Sequence, residues 1–147
     1  MEPLGKIFAA IRPILEAVAL AAASIAALWG LYTYRRSVKL EKAKWMKELY
    51  EKFYERSELK RVRDILDGDD KEKILEMVNT EATEFTDYLN FFEFLGYLSE
   101  SKQIGSNEIM GMFDYYLRNL RERPAVLNYI NNPAKGFEKL RAFLKQV

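Results

Sequence analysis

Residues 17–34, AVALAAASIAALWGLYTY, contain no charged side chain and are followed at once by Arg35 and Arg36. As a helix rising about 1.5 Å per residue, this segment spans roughly 27 Å, close to the bilayer hydrocarbon thickness of about 30 Å. The composition therefore predicts a membrane-spanning helix. We expect residues 1–35 to form the membrane anchor.

Positive charge is distributed unevenly about this apolar segment. Six lysines and arginines and one acid lie between residues 35 and 47, whereas residues 1–16 hold two cations and two acids. Because cytoplasmic flanks of spanning helices retain Lys and Arg, the part of the chain after the anchor is predicted to be cytoplasmic at the cell membrane. The cations predicted to contact anionic lipid are Arg35, Arg36, Lys39 and Lys42.

A cleaved secretory signal peptide is the competing interpretation, because residues 21–23 are small, as at a cleavage site. Signal peptides usually carry positive charge before the apolar run, whereas here the excess follows it. Secreted domains of this size often use disulfides, whereas this sequence contains no cysteine, which also argues against secretion. We therefore favour an uncleaved, single-pass anchor.

Small residues recur at every fourth position of the anchor, at Ala22, Ala26 and Gly30. This spacing lets helix backbones approach closely in lipid, where packing drives association. It predicts a homo-oligomer. An alanine-rich helix also produces such spacing by chance, and chance is the alternative.

The remainder of the chain has helical patterns only. No stretch alternates apolar and polar residues as a half-buried strand does, and no Asn-Gly or Asp-Gly pair separates two strand-like runs. The fold class is predicted to be all-α: a transmembrane helix continuing into a basic stalk, residues 36–56, followed by a small cytoplasmic helical bundle, residues 57–147. Helices are predicted at residues 15–56, 58–66, 70–78, 81–101, 107–121, 124–131 and 134–145.

Capping residues define the predicted helix ends. Ser57, Asp69 and Thr80 can accept hydrogen bonds from free N–H groups at the starts of the second, third and fourth helices. Gly68 is typical of a helix C-terminus. Later helices are predicted to start near Ser106, Pro124 and Pro133.

The segment 83–100, TEFTDYLNFFEFLGYLSE, is apolar around most of a helix circumference, which predicts a buried central helix. Glu93 lies within it. A buried, ionised and unpaired carboxylate is unfavourable, so we expect a structural ion pair rather than a ligand-binding acid. The candidate partners are Arg118, Arg121 and Arg123.

The order of anchor, basic stalk, Asn90-Phe91-Phe92-Glu93 helix and closing basic helix resembles an uncharacterised family of small prokaryotic membrane-anchored helical proteins, a domain of unknown function. Weaker correspondences are Tyr115, Tyr116 and Arg123. The resemblance covers roughly the last 65 residues of the chain. It implies a helical fold and a membrane location, and it implies no activity.

Few catalytic groups are available. Without histidine or cysteine the chain cannot build the Ser-His and Cys-His arrangements, the usual zinc sites or the Glu-x-x-His pairs of di-iron bundles. No Walker loop occurs, and the acidic turn at 67–70 lacks the full calcium-binding pattern. Carboxylate-only or magnesium chemistry is left to Glu81, Glu84, Asp87 or Glu93. We predict no enzyme activity, no cofactor and no metal.

Charge within the bundle is also asymmetric, acidic over residues 67–100 and basic over residues 118–147, so the two halves should attract. The cations of the basic half lie near Tyr115, Tyr116 and Tyr129 in the sequence. Cations that contact phosphate and aromatic rings that stack on bases are typical of a nucleic-acid or nucleotide site. We do not favour such binding, and it stays an alternative. These cations are Arg118, Arg121, Arg123, Lys135, Lys139, Arg141 and Lys145.

These features predict a self-associating, membrane-anchored interaction or scaffold module without enzymatic activity. Its partners would be the lipid bilayer, further copies of the chain and a protein partner. The alternative is an oligomeric membrane effector, controlled by a ligand or nucleotide signal, that alters membrane permeability.

Overall fold

The computed structural model describes the backbone of residues 2–146 and the side chains of residues 11–146. Two of the charged side chains counted above, Glu2 and Lys6, lie outside the described side chains. Over the described range the chain is helical, without β-strands, and it divides into two compact units, Met1–Trp45 and Met46–Val147. The elements are α1 (Glu2–Glu55), α2 (Ser57–Asp67), α3 (Lys71–Asn79), α4 (Thr83–Glu100), α5 (Ser106–Glu122), α6 (Pro124–Asn131), a 3₁₀ turn (Pro133–Lys135) and α7 (Glu138–Leu144).

The first unit belongs to α1, which begins well before the predicted start at residue 15. Pro13 lies inside the helix, although proline removes one backbone hydrogen bond and usually kinks or ends a helix. The surrounding Ala-rich sequence favours continuation through it. Beside this proline, Arg12 Nε lies 2.8 Å from Oε1 of Glu16, which is one turn further along the helix.

Among the described residues, α1 is the one helix long and apolar enough to span a membrane. The side chains of its apolar segment are exposed, with Leu20, Ile25 and Leu28 each about two-thirds or more accessible. The serine and the threonine hydroxyl groups of this segment bond within the helix. Ser24 Oγ donates to the Leu20 carbonyl at 2.9 Å, and Thr33 Oγ1 donates to the Trp29 and Gly30 carbonyls at 3.0 and 2.9 Å.

The second unit begins inside α1, ten residues before that helix ends, and this differs from the predicted boundary at residues 56 and 57. Met46 and Phe53 are buried in the core, and Leu49 packs against it. Phe53 is fully buried among aromatic rings of α4 and α5, with centroid distances from 4.8 Å to Tyr116 up to 5.8 Å to Tyr88. The last turns of α1 are therefore part of the bundle core.

Helix ends within the bundle agree with the predictions to within a few residues, but the N-cap of α3 shifts by one residue. Gly68 is the C-cap of α2, as predicted. Asp70, not Asp69, caps α3 by accepting from the N–H groups of Glu72 and Lys73 at 3.2 Å. Asp69 has φ of 50°, so the left-handed turn moves the cap one residue along.

Two further predicted caps are wrong. Ser57 is the first residue of α2 and makes no side-chain cap, since Arg56 occupies the N-cap position. Thr80 ends α3, because its hydroxyl donates back to the Glu76 carbonyl at 2.8 Å, and Ala82 precedes α4. The predicted seventh helix also starts later, since residues 133–135 form the 3₁₀ turn and Gly136 adopts φ of 79°.

α4 is the central helix, packing mainly against α7 and α2. Phe85, Leu89 and Phe92 are fully buried on its inner face. On its outer face Phe94 is less buried than predicted, since it is 48% exposed, as is Tyr97 on the polar side.

Candidate functional surfaces

The small residues predicted to mediate self-association, Ala22, Ala26 and Gly30, are exposed on α1. A Cβ atom built on Gly30 would meet no other atom within 4 Å. The described residues therefore give no packing reason for glycine at this position.

The four predicted lipid-contact cations follow the apolar segment on the same helix. Arg35, Arg36 and Lys39 are exposed, and Lys42 is half-buried. Of the carboxylates that the structure describes, none lies within 4 Å of these four side chains, whereas Lys47 pairs with Glu51 at 3.2 Å. The positive charge next to the apolar segment is thus not neutralised by these acids.

Aromatic and basic side chains together form a shallow groove at this end of the apolar segment. It is lined by Tyr32, Tyr34, Arg35, Arg36, Val38 and Lys39. The groove combines ring surfaces with guanidinium donors that can bind phosphate in a bidentate way.

Glu93 has a different partner from the one predicted. Its carboxylate oxygens accept hydrogen bonds from the backbone N–H groups of Lys139 at 2.9 Å and Leu140 at 2.6 Å. These groups belong to the first turn of α7, whose N-cap residue, Phe137, has no capping side chain. Glu93 therefore caps α7 from another helix, and the predicted arginine pair is wrong.

The candidate arginines bind elsewhere. Arg118 pairs with Asp114 one turn earlier, at 2.7 Å. Arg123 donates to the Leu66 carbonyl at 3.0 Å and lies 3.3 Å from Asp69, while Arg121 is exposed at the end of α5. Arg123 thus connects the start of α6 to the end of α2.

Several C-terminal cations are neutralised by the acidic half of the bundle, as the charge asymmetry predicts. Lys139 lies 2.7 Å from Glu100, and this bond raises the pKa of the Lys139 ammonium. Lys135 pairs with Glu81, which likewise raises its pKa. Together with the Arg123–Asp69 pair, these contacts reduce the positive electrostatic potential that would attract an anionic ligand.

The carboxylates considered for chemistry also have partners. Glu84 lies 3.6 Å from Arg61, and Asp87 lies 3.9 Å from Arg56. Over the described part of the chain, no group of three or more acidic side chains is arranged to hold a metal ion.

The residues of the family resemblance connect helices. Tyr116 and Tyr54 share a hydrogen bond of 2.7 Å between their hydroxyl groups. Tyr115 donates to Asp67 at 3.0 Å, and Asn119 donates to the same oxygen at 3.0 Å. Because these hydrogen bonds join different helices, we assign Tyr115 and Tyr116 a structural role.

Arg63 is a feature that the sequence reasoning missed. It is buried, and its guanidinium donates to the carbonyls of Phe53 at 2.8 Å and Tyr54 at 3.3 Å. It also lies 4.6 Å from the centroid of each of these rings. Arg63 caps the end of α1, and only its position on the apolar side of α2, beside Leu59 and Leu66, indicates burial.

A cleft of about 320 Å³ opens beside α2, α3 and α4, with Val62, Ile65, Met77 and Phe85 among its lining residues. Its charged rim includes the Arg61–Glu84 pair. No family model, curated protein or solved structure matches this chain.

Proposed function

We propose that this protein is a single-pass membrane protein whose α1 spans the bilayer and whose bundle, on the cytoplasmic side, is a non-enzymatic interaction module. The exposed apolar segment of α1 is the observation that carries this proposal. Burying such side chains contributes about 1.5–3 kcal/mol each, and a bilayer covers all sides of one helix at once.

Hydrogen bonding within α1 also supports insertion. Backbone groups in the hydrocarbon core must be satisfied within the helix, and the hydroxyl groups of Ser24 and Thr33 already bond to carbonyls of the same helix. Trp29, Tyr32 and Tyr34 lie where an interfacial aromatic belt is expected.

Insertion is tested with two lysines at the centre of the segment, Ile25→Lys and Leu28→Lys, which should each add about 2.5–3.5 kcal/mol to the cost of spanning. We expect the wild type to remain in membranes after alkaline extraction and the variant to be released. Leu40→Lys, outside the segment, is the matched control and should stay in the membrane. Release of the wild type at alkaline pH would refute the anchor.

The cytoplasmic orientation rests on the cations after the segment. Protease added to inverted membrane vesicles should digest the bundle, and protease added to right-side-out vesicles should not. The opposite pattern would reverse the orientation.

We further propose self-association through the face of Ala22, Ala26 and Gly30, supported by the absence of any contact that requires Gly30 within the described chain. Ala26→Leu should weaken cross-linking between copies in membranes, whereas Ala21→Leu, on a different face, should not. Equal cross-linking in both variants would remove this face from the proposal.

The interaction role of the bundle is supported by exposed aromatic surface on α4. Phe94 and Tyr97 lie one turn apart, each with nearly half of its surface accessible. The absence of His and Cys from the sequence, and the structural partners of Glu84, Asp87 and Glu93, support a non-enzymatic module. Neutralisation of Lys135, Lys139 and Arg123 disfavours the nucleotide-controlled alternative.

A further inference from the structure

The cations nearest the apolar segment are placed to meet the phosphate layer of a bilayer. Counting from Tyr34, the Cα atom of Arg35 lies about 1.5 Å further along the helix and that of Lys39 about 7.5 Å further. Each headgroup layer is roughly 5–8 Å thick. Arg35, Arg36 and Lys39 therefore lie at headgroup depth, given the anchor proposed above.

Helical spacing gathers these side chains into one surface. Arg35, Lys39 and Lys42 follow at intervals of four and three residues, so they share one side of α1, with Arg36 adjacent. Lys42, about 12 Å beyond Tyr34, reaches back to the layer only by extending its long stem. Lys47 lies about 20 Å away, beyond a Debye length of about 8 Å at physiological salt, and it already pairs with Glu51.

We propose that Arg35, Arg36 and Lys39, with Lys42 at the edge, form a binding site for the phosphate of anionic phospholipid headgroups. The proposal rests on the anchor and adds the class of lipid that this end of α1 selects. Two arginine forks supply planar donors for phosphate oxygens, and Tyr32 and Tyr34 in the same groove cover the glycerol region of the lipid. Neutral zwitterionic lipid brings an ammonium group that these cations repel.

The two tryptophans, Trp29 and Trp45, make the test direct, because brominated acyl chains quench indole fluorescence on contact. In a Trp45→Phe background, Trp29 alone reports on the lipids about 9 Å before Arg35. The full chain is reconstituted into phosphatidylcholine vesicles that contain increasing fractions of brominated phosphatidylglycerol or, separately, brominated phosphatidylcholine. The two quenching curves yield the relative binding constant of the anionic lipid.

We expect phosphatidylglycerol to be preferred about fivefold, comparable to the effect of one cation near an anionic surface. The quadruple variant R35Q/R36Q/K39Q/K42Q should bind both lipids nearly equally. The control K60Q/K71Q/R121Q/K145Q removes the same charge from the bundle and should keep the wild-type preference. Raising NaCl from about 0.05 to about 0.5 M should reduce the wild-type preference by screening.

A charge-preserving variant covers the case in which the quadruple variant no longer inserts. R35K/R36K keeps the flanking charge but removes both forks, so it should insert fully and show a reduced preference. Equal quenching by the two lipids in the inserted wild type, or a preference retained by the quadruple variant, would overturn the site.

Flotation and competition measurements distinguish a lipid headgroup site from a failed anchor and from a site for soluble anions. If the wild type does not float with vesicles of either composition, the anchor itself fails; if it floats with both and shows no lipid preference, only the headgroup site fails. Adding inorganic phosphate at constant ionic strength should leave the preference for phosphatidylglycerol unchanged. If phosphate abolished that preference, the site would be one for a soluble phosphate compound. Binding of a labelled single-stranded oligonucleotide that the quadruple variant loses, without a lipid preference, would assign these cations to nucleic acid instead.

Discussion

At the scale of single residues, the bundle depends on hydrogen bonds between polar groups that are distant in sequence. Glu93 caps α7, Arg63 caps the end of α1, and Asp67 accepts from both Tyr115 and Asn119. Arg63 and Asn119 are buried, and without these hydrogen bonds their side chains would be buried without a partner, which is unfavourable. Tyr88 is an exception, because its buried hydroxyl has no hydrogen-bond partner among the described residues.

Tyr88→Phe should therefore stabilise the bundle, by about 1 kcal/mol at neutral pH, since it removes a hydroxyl that is buried without a hydrogen bond. For a domain of this size, this raises the melting temperature by about 4–8 °C. The measurement is a thermal melt of the full chain in detergent, followed by circular dichroism. Tyr97→Phe, at a half-exposed position, is the control and should change little.

Alkaline pH should increase that difference. Burial raises the pKa of the Tyr88 phenol well above its usual value of 10.0. The unfolded chain then loses this proton first, so the stability that depends on neutral Tyr88 is complete below pH 10 and falls as the pH rises further. A wild type and Tyr88→Phe variant that lose stability in parallel above pH 10 would contradict this assignment.

Glu93→Gln should cost about 1–2 kcal/mol, because an amide presents one acceptor where a carboxylate presents two, and the charge that favours a helix N-terminus is lost. The control Glu122→Gln, at the exposed end of α5, should be neutral. Chemical denaturation of the full chain in detergent measures both. If Arg118→Gln destabilised the bundle as much as Glu93→Gln and the two effects were not additive, the arginine pair would be restored.

At the scale of elements, the packing of α4 on α7 depends on a missing side chain. A Cβ atom on Gly96 would lie 2.8 Å from both the carbonyl carbon and oxygen of Lys139, closer than real contacts allow. Glycine at this position lets the two helices approach until Glu93, one turn earlier, reaches the N–H groups of α7. The close packing of α4 on α7 and the capping of α7 by Glu93 therefore both depend on glycine at position 96.

Gly96→Ala should destabilise the bundle by about 1–3 kcal/mol, because the backbone of α7 has to move. Gly111→Ala is the matched control, since a Cβ atom there meets nothing within 4 Å in the middle of α5. Alanine is the better helix former by about 0.5–1 kcal/mol, so the control should stabilise. Melting temperatures that shift in the same direction for both variants would contradict the close approach.

At the scale of the whole molecule, the chain combines an exposed apolar segment with a bundle that has its own core. The bundle starts at Met46, because the last turns of α1 supply Phe53 to the aromatic cluster and the carbonyls that accept from Arg63. A fragment that begins at the predicted boundary, residue 57, would lack Phe53 and the carbonyls that accept from Arg63.

A fragment of residues 46–147 should melt cooperatively in aqueous buffer without detergent. A fragment of residues 57–147 should lose about 3–5 kcal/mol or more, the usual effect of removing a buried phenylalanine, and should leave Arg63 without acceptors. Circular dichroism melts of the two fragments give the comparison. Equal stability of both fragments would place the boundary back at residue 57.

The amino-acid sequence by itself determined the helical class, the approximate helix positions and the apolar segment. These follow from periodicity, from turn residues such as Gly68 and Pro124, and from the uncharged run before Arg35, all of which act between near neighbours in the chain. Only the tertiary structure decided that Glu93 caps α7, that Arg63 is buried against Phe53, and that the bundle begins within α1. Those contacts join residues many positions apart, and the choice among several chemically equivalent partners depends on which backbone groups packing brings within hydrogen-bond distance.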